Sequence, residues 1–326
     1  MKHLHLIILA AASLLICSCA SNKANEPEYT GYLFAHMTNG NYGRLYYSVS
    51  RDAKQWQPLN NGEIVLDGYL GHPNIVRGAD HFYMMGVTTE GVLRAPVLWY
   101  TDDLITWNRK DFSRDLFDVS AFDYVNESVY LGAPKIFFDE DNSRYIVTWH
   151  AYDPAVGPGD PLWESMRTFY ILTSDWENFT APQRLFDFDG EDATMATIDV
   201  ILNKEGGKYY ALIKDERWPE TVSTGKTIRV ASSDCLTGPY SNPSASITDS
   251  WEEAPVALRK VDGKGWYLFT ERYLLSSNRY ACYETDSFAS GEWTPVDIVS
   301  PDDGRHGCVI AVTEDEYQAL LAKYGE

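Results

Sequence analysis

Five times along the chain an Asp stands four to seven residues ahead of an aromatic: "SRDAKQW" (50–56), "TDDLITW" (101–107), "TSDWENF" (173–179), "SSDCLTGPY" (232–240) and "ETDSFASGEW" (284–293). These Asp residues, at 52, 103, 175, 234 and 286, are 51, 72, 59 and 52 positions apart. A period of that length holds one four-stranded sheet per copy, which is the unit of a β-propeller.

A second repeat runs between the copies of the first. "GHPNIVRGADHFYMMG", "GAPKIFFDEDNSRYIVTWH", "IDVILNKEGGKYYALIKDE" and "EAPVALRKVDGKGWYLFTE" each set a short apolar run, a polar turn and an aromatic-rich run in order. That is a strand, hairpin, strand signal. A fifth copy opens at "RHGCVIAV" without a following hairpin partner, and "YLFAHMTNGNYGRLYYSVSRD" (32–52) begins with the strand it lacks. The chain therefore reads as an all-β, five-bladed β-propeller over 31–326. Its last blade takes an inner strand from the C-terminus and three outer strands from the N-terminus. Only "TEDEYQALLAKYG" reads as helix, with Thr313 and Glu316 as a capping box.

Residues 1–19, "MKHLHLIILAAASLLICSC", carry one Lys, an apolar run and small residues before a Cys. This is a secretory signal, its apolar core too short to span a bilayer. The reading is lipidation of Cys19, a flexible tether over 20–30, and an exported protein anchored by lipid in the cell envelope, facing the periplasm or the surface. The charge, 27 − 47 = −20, has no basic run beyond the N-terminal tip, which makes nucleic acid and anionic membrane poor partners. Cys235, Cys282 and Cys308 have no disulfide or metal spacing and read as structural thiols. No glycine-rich phosphate loop, nucleophile elbow or paired CxxC occurs.

Inner strands of a propeller line its channel, and their starts converge on one mouth. In register, the five copies place Gly71 and His72, Gly132 and Ala133, Ile198 and Asp199, Glu253 and Ala254, and Arg305 and His306 around that mouth. Turn formation accounts for the prolines and for an Asp. It does not call for Glu253, His72 and His306 together.

From "GYLFAHMTNG" to "RHGCVIAV" the chain resembles glycoside hydrolase family 43 and its relatives, five-bladed propellers that cleave arabinosides, xylosides and galactosides. The "S-x-D-x-x-x-W" blade ends, "ID" in one inner strand, "E-x-P" in the next and the closing "RHG" carry the likeness, in the expected order. It implies that Glu253 is the general acid and that Asp199 orients it and tunes its pKa. It also implies that His306 is the central-channel histidine, which in many members contacts water or a calcium ion; no other cofactor is implied. Burial beside a second carboxylate would raise the acid's pKa. Inverting enzymes hold their two carboxyl groups about 6.5 to 9.5 Å apart, and neighbours across a propeller mouth suit that outcome.

The departure is His72 in "GHPNI", where family members commonly hold the base Asp before Pro. Three readings stay open: a base elsewhere (Glu216, Asp215 or Asp67), His72 itself as base, or hydrolysis lost with sugar binding kept. In "ALIKDERWPE", strand alternation sends Lys214 and Glu216 to one side and Asp215 and Arg217 to the other. Glu271, Trp149, His150 and, in "PLWESMRTFY", Trp163 and Arg167 stand at comparable points, as does ring residue Arg305. They are candidates for clamping sugar hydroxyls, and Arg167 and Arg217 facing the pocket together would favour an acidic sugar. The expectation is a glycoside hydrolase that releases a terminal sugar from a plant or host oligosaccharide or polysaccharide fragment. The alternatives are a non-catalytic carbohydrate-binding propeller and a polysaccharide lyase.

Overall fold

A computed structural model describes residues 27–90, 94–126, 132–301 and 303–325; the signal segment and Cys19 lie outside them. Strands β1 (Tyr29–Thr38), β2 (Tyr46–Ser50) and β3 (Gln57–Pro58) are followed by a complete sheet, β4 (Val76–Arg77), β5 (Phe82–Val87), β6 (Pro96–Thr101) and β7 (Asn108–Asp111). The next sheet contains β8 (Lys135–Asp139), β9 (Arg144–Ala151), β10 (Arg167–Thr173) and β11 (Gln183–Arg184), with helix α1 (Asp160–Glu164) between its second and third strands. Then come β12 (Thr197–Glu205), β13 (Lys208–Asp215) and β14 (Ile228–Ser233), and after them β15 (Glu252–Arg259), β16 (Trp266–Arg272), β17 (Tyr280–Thr285) and β18 (Thr294–Val296). Finally β19 (Gly304–Thr313) returns to pair antiparallel with β1, Phe34 opposite Val309, and closes the ring as expected.

The third full blade departs from four strands. Its outer edge is an irregular run bonded through the amides of Ser241, Ser244 and Ile247, and Pro243 within it has no N–H to extend a ladder. Apolar clusters fill the spaces between successive sheets, as where Trp149 meets Phe117 and Phe169. Helix α2 (Glu314–Tyr324) carries the expected capping box: Thr313 accepts the Glu316 amide at 3.3 Å and Glu316 accepts the Thr313 amide at 2.9 Å. Cys235, Cys282 and Cys308 are free thiols, the first exposed and the other two buried.

The repeated Asp stands at a turn held also by a hydroxyl residue one or two places before it. Ser50, Thr101, Thr173, Ser233 and Thr285 each accept the amide two residues on, at 3.0 to 3.3 Å. Asp52, Asp103 and Asp175 accept two further amides each, fixing the turn into the outermost strand. Asp234 instead pairs with Lys208 at 3.4 Å. The hydroxyl is thus constant in all five blades.

What places the site is a kink at the start of the inner strands. Ala133, Asp199, Ala254 and His306 have φ of 45°, 51°, 47° and 33°, in the left-handed region that non-glycine residues seldom adopt. Pairing registers slip at the same points in β12, β15 and β19. Such bulges bend a strand and re-aim its side chains, here toward the channel mouth. Gly132 shows how tight the packing is, since a Cβ there would lie 1.8 Å from the His150 carbonyl oxygen.

Candidate functional site

The inner-strand starts open into a pocket of about 600 Å³. His72, Ala133, Asp199, Glu253, Arg305 and His306 come from the ring, and Lys214, Glu216 and His150 from the second strands or just after them. Lys226, Tyr42, Asp160, Trp163, Ile198, Trp218, Trp251, Tyr273 and Leu274 complete the wall. The ring assembled from sequence register is therefore one site, and alternation along β13 delivers Lys214 and Glu216 to it as expected.

Basic and acidic side chains alternate along the wall. Lys226 Nζ lies 2.6 Å from Glu216 Oε1, and Glu216 Oε2 lies 2.8 Å from Lys214 Nζ. Lys214 then reaches Glu253 Oε2 at 2.7 Å. The other oxygen of Glu253 meets His306 Nε2 at 2.9 Å and Arg305 at 3.6 Å. Behind them Glu271, fully buried, accepts Arg305 Nε at 2.5 Å and the His306 amide at 2.8 Å. Glu271 thus positions the "RHG" turn from beneath.

Burial opposes ionisation of Glu253, but Lys214 and His306 outweigh it and hold the carboxyl well below its ordinary value. Burial likewise opposes the Lys214 ammonium, and Glu253 and Glu216 more than restore it. His306 is pulled down by burial and pushed up further by Glu253, ending raised. His72 goes far the other way, through burial and then the neighbouring His306 and Lys135. Burial takes His150 down to about 4. Asp199 Oδ2 accepts the Ala254 amide at 3.2 Å, and the groups that meet the Glu253 carboxylate are Lys214, His306 and Arg305.

Four expected contacts fall elsewhere, the first being Glu271, which supports Arg305 and His306 and does not line the pocket. Trp149 is core, edge-on to Phe117 at 4.9 Å with its Nε1 donating to Asn126 at 2.8 Å, because alternation gives the pocket His150 instead. Arg217 points with Asp215, bonding it at 2.9 and 2.7 Å and Asp192 at 2.8 Å. Arg167 donates to the carbonyls of Glu164, Met166 and Thr194. Asp215 is fully buried against Arg217 and Arg229, and Asp67 is not among the pocket residues.

The aromatic wall was largely missed. Lys226 lies over Trp218 at 4.7 Å, Lys214 over Tyr273 at 4.5 Å, and Trp251 stands between the two rings, 5.6 and 6.1 Å from them. Tyr42, from the β1–β2 turn, packs edge-on against His72 and His306 at 5.6 and 6.0 Å. The available signal was position: "DERW", "SWEE" and "TERY" put an aromatic beside charges at strand ends on one face of the ring.

For the calcium ion raised by the resemblance, the fit is poor. Calcium takes about six to eight oxygen ligands, whereas the two groups of donors that converge are Asp199 with two imidazoles, His72 and His306, and Glu253 and Glu271 with His306, and the last two carboxylates are already paired with Lys214 and Arg305.

The family described as a probable glycosyl hydrolase domain, related to glycoside hydrolase family 43, matches residues 27–318. No curated protein matches the sequence. Among solved structures, alpha-L-arabinofuranosidase from Lactobacillus brevis is similar with a TM-score of 0.54 at 12% identity, over 76% of this chain and 80% of that one. The catalytic domain of Coprinopsis cinerea GH62 alpha-L-arabinofuranosidase gives 0.51 at 14% identity, over 72% and 70%. Bacteroides ovatus Xyloglucan PUL GH43B gives 0.47 at 16% identity, over 71% of this chain but 41% of that one, so this chain spans about two fifths of that protein. At such identities the structural likeness speaks for the propeller alone. The family match, by contrast, runs through nearly all the described residues, and the chain belongs to this glycosyl hydrolase family related to glycoside hydrolase family 43.

Proposed function

We infer that the protein is an exported glycoside hydrolase that removes a terminal, neutral sugar from an oligosaccharide or polysaccharide fragment, with Glu253 as the proton donor to the leaving oxygen. One observation carries this: Glu253 stands in an aromatic-walled pocket of about 600 Å³, its carboxylate reached by Lys214 of β13 and by Arg305 and His306 of β19. The volume suits a small ligand, and aromatic faces with a few convergent polar groups suit a sugar ring. A neutral sugar is favoured because Lys214, Lys226 and Arg305 are each matched by a carboxylate, while Arg167 and Arg217 lie outside the pocket.

Glu253 must gain a proton before it can give one. A sugar hydroxyl that draws Lys214 away removes the nearest cation, and Glu216 at 2.8 Å remains as that lysine's partner. Asp199 and Glu271 hold the backbone on either side of the acid, through the amides of Ala254 and His306. Glu216 or His72 takes the proton from water in this reading, and inversion is the expected outcome. The same reading includes lipidation at Cys19 and a place in the cell envelope.

The resting ionisation of Glu253 favours a second reading, a propeller that binds carbohydrate and does not cleave it. A product screen over plant and host oligosaccharides, with wild type and His72→Ala in parallel, separates the cases. Free monosaccharide from wild type supports hydrolysis. An unsaturated product absorbing in the near ultraviolet indicates a lyase, and binding with no product leaves the binder.

A further inference from the structure

At the channel mouth His72, Asp199 and His306 are contributed by three different inner-strand starts, and all three are buried. One donor atom from each lies within 4.8 Å of the others. Two imidazoles and one carboxylate form a donor set for a borderline transition ion such as zinc rather than for a hard cation.

We propose that this cluster binds a divalent transition-metal ion of the zinc class, ligated by His72, Asp199 and His306.

The surroundings of the ligands are those of a metal site. A histidine bound to metal nearly always donates its other ring N–H to a carboxylate or carbonyl, which fixes the ring. His306 does this: its Nε2 is 2.9 Å from Glu253 Oε1, while its buried Nδ1 has no hydrogen-bond partner among the described residues. Asp199 is fixed too, through the Ala254 amide on its Oδ2 at 3.2 Å. The strain at the ring has the same direction, since Asp199 and His306 both hold left-handed backbone that turns them to the mouth. A second group, Glu253, Glu271 and His306, also converges, but its carboxylates are already matched by Lys214 and Arg305. The opposing feature is Lys135, a buried ammonium that acts on both Asp199 and His72.

The proposal goes beyond the hydrolase reading and is tested apart from it. Mature protein stripped with chelator is titrated with zinc chloride by calorimetry, and bound metal is counted by mass spectrometry, with calcium chloride as competitor. The expected result is a single zinc per chain that calcium does not displace. His72→Ala and Asp199→Asn should each weaken zinc by about 100-fold or more, since even outer partners of metal ligands are worth about 10- to 100-fold. Lys135→Met should tighten it severalfold. No zinc uptake by wild type, equal uptake by the ligand variants, or displacement by equimolar calcium would overturn the proposal. If the variants do not fold, cobalt(II) absorption of the wild type decides: an intense tetrahedral band upholds the site, and the spectrum of the aqueous ion refutes it. Zinc uptake by a protein that cleaves nothing leaves this proposal standing, and hydrolysis without zinc uptake removes it alone.

Discussion

Lys214 sits between Glu253 and Glu216 at 2.7 and 2.8 Å, so one side chain sets the charge state of the whole wall. Removing one partner of a buried ion pair leaves an uncompensated charge, at a cost of about 3–5 kcal/mol. Lys214→Met should therefore lower stability by about that amount in urea denaturation, with Glu253 moving up toward or past the ordinary carboxylate range. A change below about 1 kcal/mol, as for a solvated pair, would show that the array is not electrostatically closed. At this scale the sequence was readable where a strand's alternation decides. It sends Lys214 and Glu216 one way and Asp215 and Arg217 the other. It was not readable where one member of a pair had to be chosen without a register, as with Trp149 and His150. Lys226 was hidden for another reason. It lies beyond a turn, and the bonds from its amide to the Asp215 carbonyl, 2.7 Å, and from the Asp215 amide to the Thr227 carbonyl, 3.0 Å, bring it back to Glu216.

Among the elements, β1 carries a pH-sensitive residue outside the pocket. His36 is buried, with Nδ1 3.1 Å from the Met37 carbonyl and Nε2 3.2 Å from Ser48 Oγ, and burial pulls its pKa down to about 4. Between pH 6.5 and 4 the unfolded chain binds a proton at this residue and the folded chain does not. Stability should therefore fall as pH drops through that window, by up to about 3 kcal/mol from this residue. His36→Gln should flatten the slope of unfolding free energy against pH there; an unchanged slope would contradict the assignment. At the other end Thr313→Ala should cost about 1 kcal/mol by removing the cap of α2, measured by the same denaturation. The strands themselves were legible because hairpins and aromatic runs recur. The bulges were not, since left-handed Ala, Asp and His leave no compositional mark, and the irregular outer edge of the third full blade showed itself only as Pro243.

At the level of the whole molecule the ring depends on one long-range pairing, β1 with β19, which joins the two ends of the described chain. Pairing with β19 covers the inner edge of β1, which an unclosed ring would expose. A chain ending at 303 should thus lose its cooperative unfolding transition, and a cooperative melt in such a chain would show that the inner strand is dispensable. Closure was legible because "RHGCVIAV" lacks a hairpin partner and "YLFAHM" lacks an inner strand. Chemistry at the mouth was less legible, since the pairing of Glu253 with Lys214 and His306 depends on distances between blades. The central claim is that Glu253 gives the proton in a pocket that cleaves a terminal glycosidic bond. It is tested most directly by turnover and binding of one responsive oligosaccharide by wild type and Glu253→Gln. Loss of the proton donor should lower kcat by about 10²- to 10⁴-fold while the oligosaccharide still binds, with Kd within a few-fold; undiminished turnover by Glu253→Gln would contradict it.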